Sequence, residues 1–143
     1  TDEEVQEAAR AACADGFIRR MKRGYYTLVS ERGGGLSQGQ KQLIALARTL
    51  LSDPRVLILD EATSSIDTQT EQLLQQGIRT LLRGRTSFII AHRLSTIRHC
   101  DRIFYVGEQS ILEAGTHEEL MAKRGRYYEL YTAQMEKNDG LIS

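Results

Sequence analysis

The chain has 143 residues, of which 41% are hydrophobic and 27% charged, values ordinary for a single folded domain. Its 19 lysines and arginines balance 19 aspartates and glutamates, so the formal net charge is zero. That balance argues against a nucleic-acid binder, which carries a basic excess, and against a highly charged disordered tail.

Thr1-Asp2-Glu3-Glu4 reads as a capping box that opens a helix with Val5, Ala9, Ala12 and Cys13 on one face. A second short helix is expected over residues 16–21. Residues 24–35 read as a loop ending in three glycines, Gly33-Gly34-Gly35. Ser37 is placed to cap a helix running to about Leu51, with Leu43, Ala47, Leu50 and Leu51 on one face, and Asp53-Pro54 stops it. Residues 56–60 are short and almost wholly apolar, as in a strand buried on both faces of a parallel sheet. A helix over 68–82 carries Leu74, Ile78 and Leu81, and Gly84 ends it. Residues 88–91 predict a second buried strand, and Ser95 a cap for a one-turn helix. Two more strands, 103–106 and 110–113, are joined by a turn near Gly107. Thr116 and Glu119 form another capping box, and helices continue to about Lys137. Strands alternating with helices indicate an α/β layer with a mostly parallel sheet.

The longest aliphatic runs, 56–59 and 88–91, fall short of the ~20 residues that cross a bilayer. The acidic N-terminus lacks the apolar stretch of a signal peptide. Cys13 and Cys100 form no CxxC pair and have no metal-type spacing with His92, His99 or His117, so they read as reduced packing residues. The chain opens on Thr1, as it would after loss of an initiator methionine or as a piece of something longer.

Three stretches carry chemistry. Val56-Leu57-Ile58-Leu59 ends in two adjacent carboxylates, Asp60 and Glu61. Ligands of parallel α/β sheets bind beyond the carboxyl ends of the strands. One carboxylate there suits Mg²⁺, and a second suits orienting or deprotonating a water for attack on a phosphoryl group. A strand simply leaving the core for solvent is the plainer reading. Gly33-Gly34-Gly35-Leu36-Ser37-Gln38-Gly39-Gln40 leads straight into a helix, whose N-terminal amides and positive dipole end attract phosphate. A capped glycine loop without a ligand is the alternative. Residues 34–41 nearly imitate a P-loop, but Lys41 is one position late, no Ser or Thr follows it, and no strand precedes it. No other stretch supplies one. His92 directly follows the 88–91 strand and is expected at the sheet edge that holds Asp60 and Glu61, where an imidazole can donate to a terminal phosphate. His99 and His117 read as ordinary polar residues.

Together these stretches say more than each alone. Leu36-Ser37-Gln38-Gly39-Gln40 resembles the LSGGQ signature of ATP-binding-cassette (ABC) ATPases. Asp60-Glu61-Ala62-Thr63-Ser64-Ser65-Ile66-Asp67 resembles that family's Walker B acids and D-loop, and Ala91-His92-Arg93-Leu94-Ser95-Thr96 its H-loop. Thr27-Leu28-Val29-Ser30-Glu31-Arg32-Gly33 is similar to the TxVGERG loop of exporter-type cassettes, and Glu113-Ala114-Gly115-Thr116-His117-Glu118-Glu119-Leu120 to their C-terminal stretch. The resemblance covers nearly the whole chain. Gln38 stands for the first signature glycine, Ser65-Ile66 for Ala-Leu, and Ser30 for a glycine; none removes a catalytic group. The family's P-loop, adenine-stacking aromatic and Q-loop glutamine have no counterpart in the 143 residues.

The resemblance implies the C-terminal part of an exporter-type nucleotide-binding domain. Its fold is a partial P-loop-NTPase-like α/β sheet with flanking helices, plus part of a helical subdomain. Residues 1–52 would belong to the helical signature subdomain and 53–143 to the RecA-like core. Asp60 would help hold Mg²⁺, Glu61 would position the attacking water, and His92 would contact the γ-phosphate of ATP. Ser37, Gly39 and Gln40 would contact ATP bound on a second, head-to-tail nucleotide-binding domain, and Asp67 would link the two active sites. The loop at residues 27–33 would meet the transmembrane domain, which places the chain at the cytoplasmic face of a membrane. The piece alone would be inactive, and its uncovered sheet would favour self-association. Two alternatives stand beside this reading: a naturally truncated, non-catalytic cassette that lends its signature to a partner, and an ABC ATPase of a non-transport class.

Overall fold

The computed structural model describes residues 1–30, 34–60 and 66–139. They fall into two units, Thr1–Ile90 and a second beginning at Ala91, each with its own buried cluster. Residues 31–33 of the expected TxVGERG-like loop, Glu61 and residues 62–65 lie outside the described residues.

The first unit is built on capped helices. In α1 (Asp2–Ala11) the Thr1 hydroxyl accepts from the Glu4 N–H and the Glu4 carboxylate accepts in return from the Thr1 amine, as expected. Cys13, at φ 62°, turns the chain into α2 (Asp15–Arg20). A single 3₁₀ turn, Gly24–Tyr26, interrupts the loop that follows. The Ser37 capping box opens α3 (Gln38–Ser52), and Asp53 ends it in the left-handed region. Leu43 and Leu46 form its buried stripe with Gly39. Leu51 leaves that stripe and is 47% exposed, because eight residues at 100° each rotate it about 80° from Leu43.

Strands β1 (Val56–Asp60) and β2 (Thr86–Ile90) pair in parallel, joined through α4 (Thr68–Leu82). The register sets Ile58 against Phe88 and Asp60 against Ile90. Both strands were expected to be buried on both faces, and here the structure differs. Leu57 joins Leu43, Leu46, Leu74 and Leu81 in the core, but Val56 (58%), Ile58 (72%), Phe88 (58%) and Ile90 (54%) are exposed on the opposite face. Among the described residues only one face of this two-stranded sheet has helices packed on it. Arg85 ties its entry together: the guanidinium donates to Pro54 O at 3.1 Å and Leu81 O at 2.8 Å, and pairs with Asp53 at 2.8 Å.

Two glycines permit the helix packing. A Cβ on Gly77 of α4 would lie 2.8 Å from the carbonyl oxygen of Ala12 and 3.2 Å from Leu46. A Cβ on Gly39 of α3 would overlap the Thr70 methyl and crowd Ile66.

In the second unit β3 (Ile103–Gly107) and β4 (Ser110–Gly115) form an antiparallel hairpin with a register shift at Tyr105/Val106. The hairpin turns directly after Gly107, as expected, and its two central residues, Glu108 and Gln109, are both at positive φ (51° and 61°). The Thr116–Glu119 capping box opens α6 (His117–Lys123) as expected, and α7 (Arg126–Asp139) follows. The Glu113 carboxylate accepts from the backbone N–H groups of Arg126 (2.6 Å) and Tyr127 (3.3 Å), capping α7 from the hairpin. Leu94, Ile103, Leu120 and Tyr127 are the core. His117 is buried, its Nδ1 2.9 Å from the Tyr127 hydroxyl and its ring 4.8 Å from that of Tyr131. Cys13 and Cys100 are free thiols at the margins of the two cores.

An exposed helical Gly→Ala change gains about 1 kcal/mol. Gly77→Ala should instead lose about 1–3 kcal/mol in urea unfolding, since backbone atoms must move aside. Gly16→Ala, with nothing described within 4 Å of its Cβ position, should not lose stability. Asp67 caps α4 by accepting from the Thr70 N–H at 2.9 Å, and that bond holds its carboxyl below the usual aspartate value. A lowered folded value gives stability that is present above the unfolded pKa and lost as pH falls through the folded one. The stability gap between wild type and Asp67→Ala, followed by thermal melts, should therefore close as pH is taken from 7 down through the aspartate range.

Candidate functional site

Asp60 is the last residue of β1, and its register partner Ile90 is the last of β2. The two strands therefore share a carboxyl end, where parallel α/β sheets bind ligands. Asp60 lies on the exposed face of the pair, in line with Val56 and Ile58.

The signature-like residues form the start of α3. The Ser37 hydroxyl accepts from the Gln40 N–H at 3.1 Å, and Gln40 Oε1 accepts from the Ser37 N–H at 3.0 Å. Ser37 and Gln40 thus have structural work before any ligand arrives. The Ser37 hydroxyl hydrogen is not used in this cap, and a hydroxyl can both accept and donate. Gly39 is buried against Ile66 and Thr70, so the first turn of α3 lies beside the Asp67-capped start of α4. The structure brings Ser37, Gly39, Gln40 and Asp67 together around two neighbouring helix N-termini. The α3 end, capped by a neutral serine, carries the partial positive charge that favours an anion, while at α4 the Asp67 carboxylate already supplies a negative charge.

His92 belongs to the second unit, and its side chain is exposed. The one-turn helix α5 (Leu94–Ile97) follows it. Ser95 was expected to cap α5, but the N-cap position is Arg93 and has no side-chain cap bond. The Leu94 N–H is instead accepted by Gln134 Oε1 of α7 at 3.1 Å, while Gln134 Nε2 donates to the His92 carbonyl at 3.0 Å. No short-range pattern points to Gln134, which lies 42 residues from His92. Its one sequence signal is its place on α7 at i+7 from Tyr127 and i+3 from Tyr131, a polar residue on an apolar stripe.

Thr27 and Val29, from the TxVGERG-like stretch, line a cleft of about 280 Å³ in the first unit. Val5, Ile18, Met21 and Ile44 give it apolar walls, with Tyr25 and Arg48 beside them. Burial, and then its hydrogen bond to Asp15, push the Tyr25 phenol up to about 12, so it remains a donor at neutral pH.

No group of three or more His, Cys, Asp or Glu that could hold a metal occurs among the described residues. A carboxylate at a strand end nevertheless fits Mg²⁺, which takes hard oxygen ligands and binds through one or two carboxylates plus substrate phosphates and water. The described residues also include no helix long and apolar enough to cross a membrane.

Residues 2–64 match the family model described as ABC transporter. A fatty acid ABC transporter ATP-binding/permease protein of Mycobacterium tuberculosis is 56% identical over 133 residues, covering 93% of this chain and 21% of that protein. An uncharacterized ABC transporter ATP-binding protein of Bacillus subtilis is 50% identical over 137 residues, covering 96% and 23%. A putative multidrug export ATP-binding/permease protein of Staphylococcus aureus is 51% identical over 134 residues, covering 94% and 23%. The structure of a bacterial Atm1-family ABC exporter with ATP bound superposes with a TM-score of 0.82 at 42% identity, covering 94% of this chain and 23% of that one. The chain thus spans between a fifth and a quarter of the length of these relatives. On motif order, fold and identity, the chain belongs to the ABC transporter ATP-binding family, in its exporter-type branch.

Proposed function

We propose that the chain is the C-terminal part of the ATP-hydrolysing nucleotide-binding domain of an ABC exporter, held at the cytoplasmic face of the membrane. The observation that most supports this is the pairing of helix starts, Ser37-capped α3 beside Asp67-capped α4, brought close by Gly39. Ser37, Gly39 and Gln40 meet the phosphates of ATP carried by a second, head-to-tail domain, where helix N-termini are suited to anions. Asp67 couples the two sites. Residues 1–52 act as the helical signature subdomain and 53–143 as part of the RecA-like core, a functional division that cuts within the first packing unit.

Catalysis in such a site is mostly positioning and charge stabilisation. Glu61 orients and polarises the attacking water, and His92 donates to the γ-phosphate. Asp60 would hold Mg²⁺, which neutralises charge developing on the phosphate oxygens. The loop at residues 27–33 and the apolar cleft beside Thr27 and Val29 receive the transmembrane domain. Closure and reopening of the domain pair drive it.

The P-loop lysine is not among these 143 residues, so the purified chain alone should show no Mg-ATP hydrolysis in a phosphate-release assay. Turnover free of contaminating ATPases would overturn that expectation. Glu61→Gln, in the transporter that carries this sequence, should cut turnover by about a hundredfold or more yet keep the ATP-bound pair assembled. An unchanged rate would favour the non-catalytic module instead. The apolar face of Val56, Ile58, Phe88 and Ile90 favours self-association of the chain alone. Sedimentation velocity should show it growing with concentration, and a strictly monomeric species would argue against it.

A further inference from the structure

We propose that Gln134 is a positioning residue for His92, a role that rests on the reading of His92 given above. Both ends of one side-chain amide are used. Nε2 donates to the His92 carbonyl at 3.0 Å and Oε1 accepts from the Leu94 N–H at 3.1 Å. These groups flank Arg93, whose backbone is extended at φ −107° and ψ 115°. One residue of a parallel strand makes the same pair of bonds to its neighbour. Gln134 therefore clasps residues 92–94 as a strand would, with a single side chain.

The clasp has firm supports on both sides. Leu94 is 5% exposed and packs with Ile103, Leu120 and Tyr127. The start of α7 is pinned by Glu113 through the N–H groups of Arg126 and Tyr127. Tyr127, 1% exposed, and Tyr131 lie on the same helix stripe as Gln134. The path from the β3–β4 hairpin through α7 to the His92 carbonyl thus consists of packed or hydrogen-bonded groups. The His92 side chain springs from the Cα next to the clasped carbonyl. Fixing the backbone there limits the directions its imidazole takes, and catalytic groups misplaced by an ångström lose rate steeply.

The test uses the transporter that carries this sequence, with kcat and KM for ATP measured for His92→Ala, Gln134→Leu and Gln134→Glu. Gln134→Leu removes both bonds at similar size. Gln134→Glu keeps the acceptor for the Leu94 N–H and replaces the donor to His92 by an oxygen. Both Gln134 variants should lower kcat about tenfold with KM within about twofold, because binding is retained and the reacting geometry is not. In the 143-residue chain, Gln134→Leu should also speed hydrogen exchange of the Leu94 amide at least about tenfold. Should Gln134→Leu fail to fold, Gln134→Glu carries the test alone. Wild-type kcat in a folded Gln134 variant, with His92→Ala inactive, would overturn the clasp but leave the reading of His92 intact. Wild-type turnover in His92→Ala would overturn that reading, and the positioning role with it. Unchanged Leu94 exchange in Gln134→Leu would refute the clasp whatever the kinetics.

Discussion

Two places where a β-carbon has no room govern the first unit. At Gly77 the backbone of α4 comes so near the Ala12 carbonyl that a methyl would sit inside contact distance. At Gly39 the start of α3 presses on Ile66 and Thr70. The leucines of the core, from Leu43 to Leu81, close over one another because these backbones approach. The neighbouring caps at Ser37 and Asp67 follow from the same approach. Packing and the candidate anion site are therefore one construction. A substitution that swells Gly39 would push the starts of α3 and α4 apart, while one at Gly77 would press first on the Ala12 carbonyl.

The helix starts were legible because a cap is a local bargain between residues three apart. Thr1 with Glu4, Ser37 with Gln40 and Thr116 with Glu119 each satisfy two backbone donors within four residues. What depends on distant partners was not legible in this way. Residues 56–59 and 88–91 are apolar on both faces, and nothing local says that only Leu57's side is covered by helices. The turn after Gly107 was legible, but not that Glu108 and Gln109 take the left-handed backbone that glycine or asparagine usually provides. Gln134 reaches a loop some 40 residues away. Of the candidate site, the order of motifs and the Ser37 cap were readable, while the return bond to Gln40 and the close packing at Gly39 emerged only with the fold.

The structural duties of Ser37 and Gln40 bear on how the signature-like sequence is interpreted. Ser37 and Gln40 exchange hydrogen bonds whether or not a phosphate is present. The cap leaves the serine hydroxyl hydrogen for an outside acceptor and holds the helix start in shape. One hydroxyl closes the cap through its oxygen, which accepts the Gln40 N–H, and can meet an anion through its hydrogen. Stability and recognition are thus not separable at this helix end by simple deletion, whereas the Asp67 carboxylate at the start of α4 only accepts hydrogen bonds and brings its own negative charge to that helix end.

The exposed face of the β1–β2 pair has an electrostatic side as well as an apolar one. Asp60 stands at the end of the face that carries Val56, Ile58, Phe88 and Ile90. Whatever covers those side chains also removes water from around the carboxylate. An opposite charge 4 Å away is worth about 1 kcal/mol in bulk water and about 4 kcal/mol at an effective dielectric constant of 20. Covering the hydrocarbon and strengthening the grip of this acid on a cation are accordingly one event, written into the two-residue alternation of a single strand.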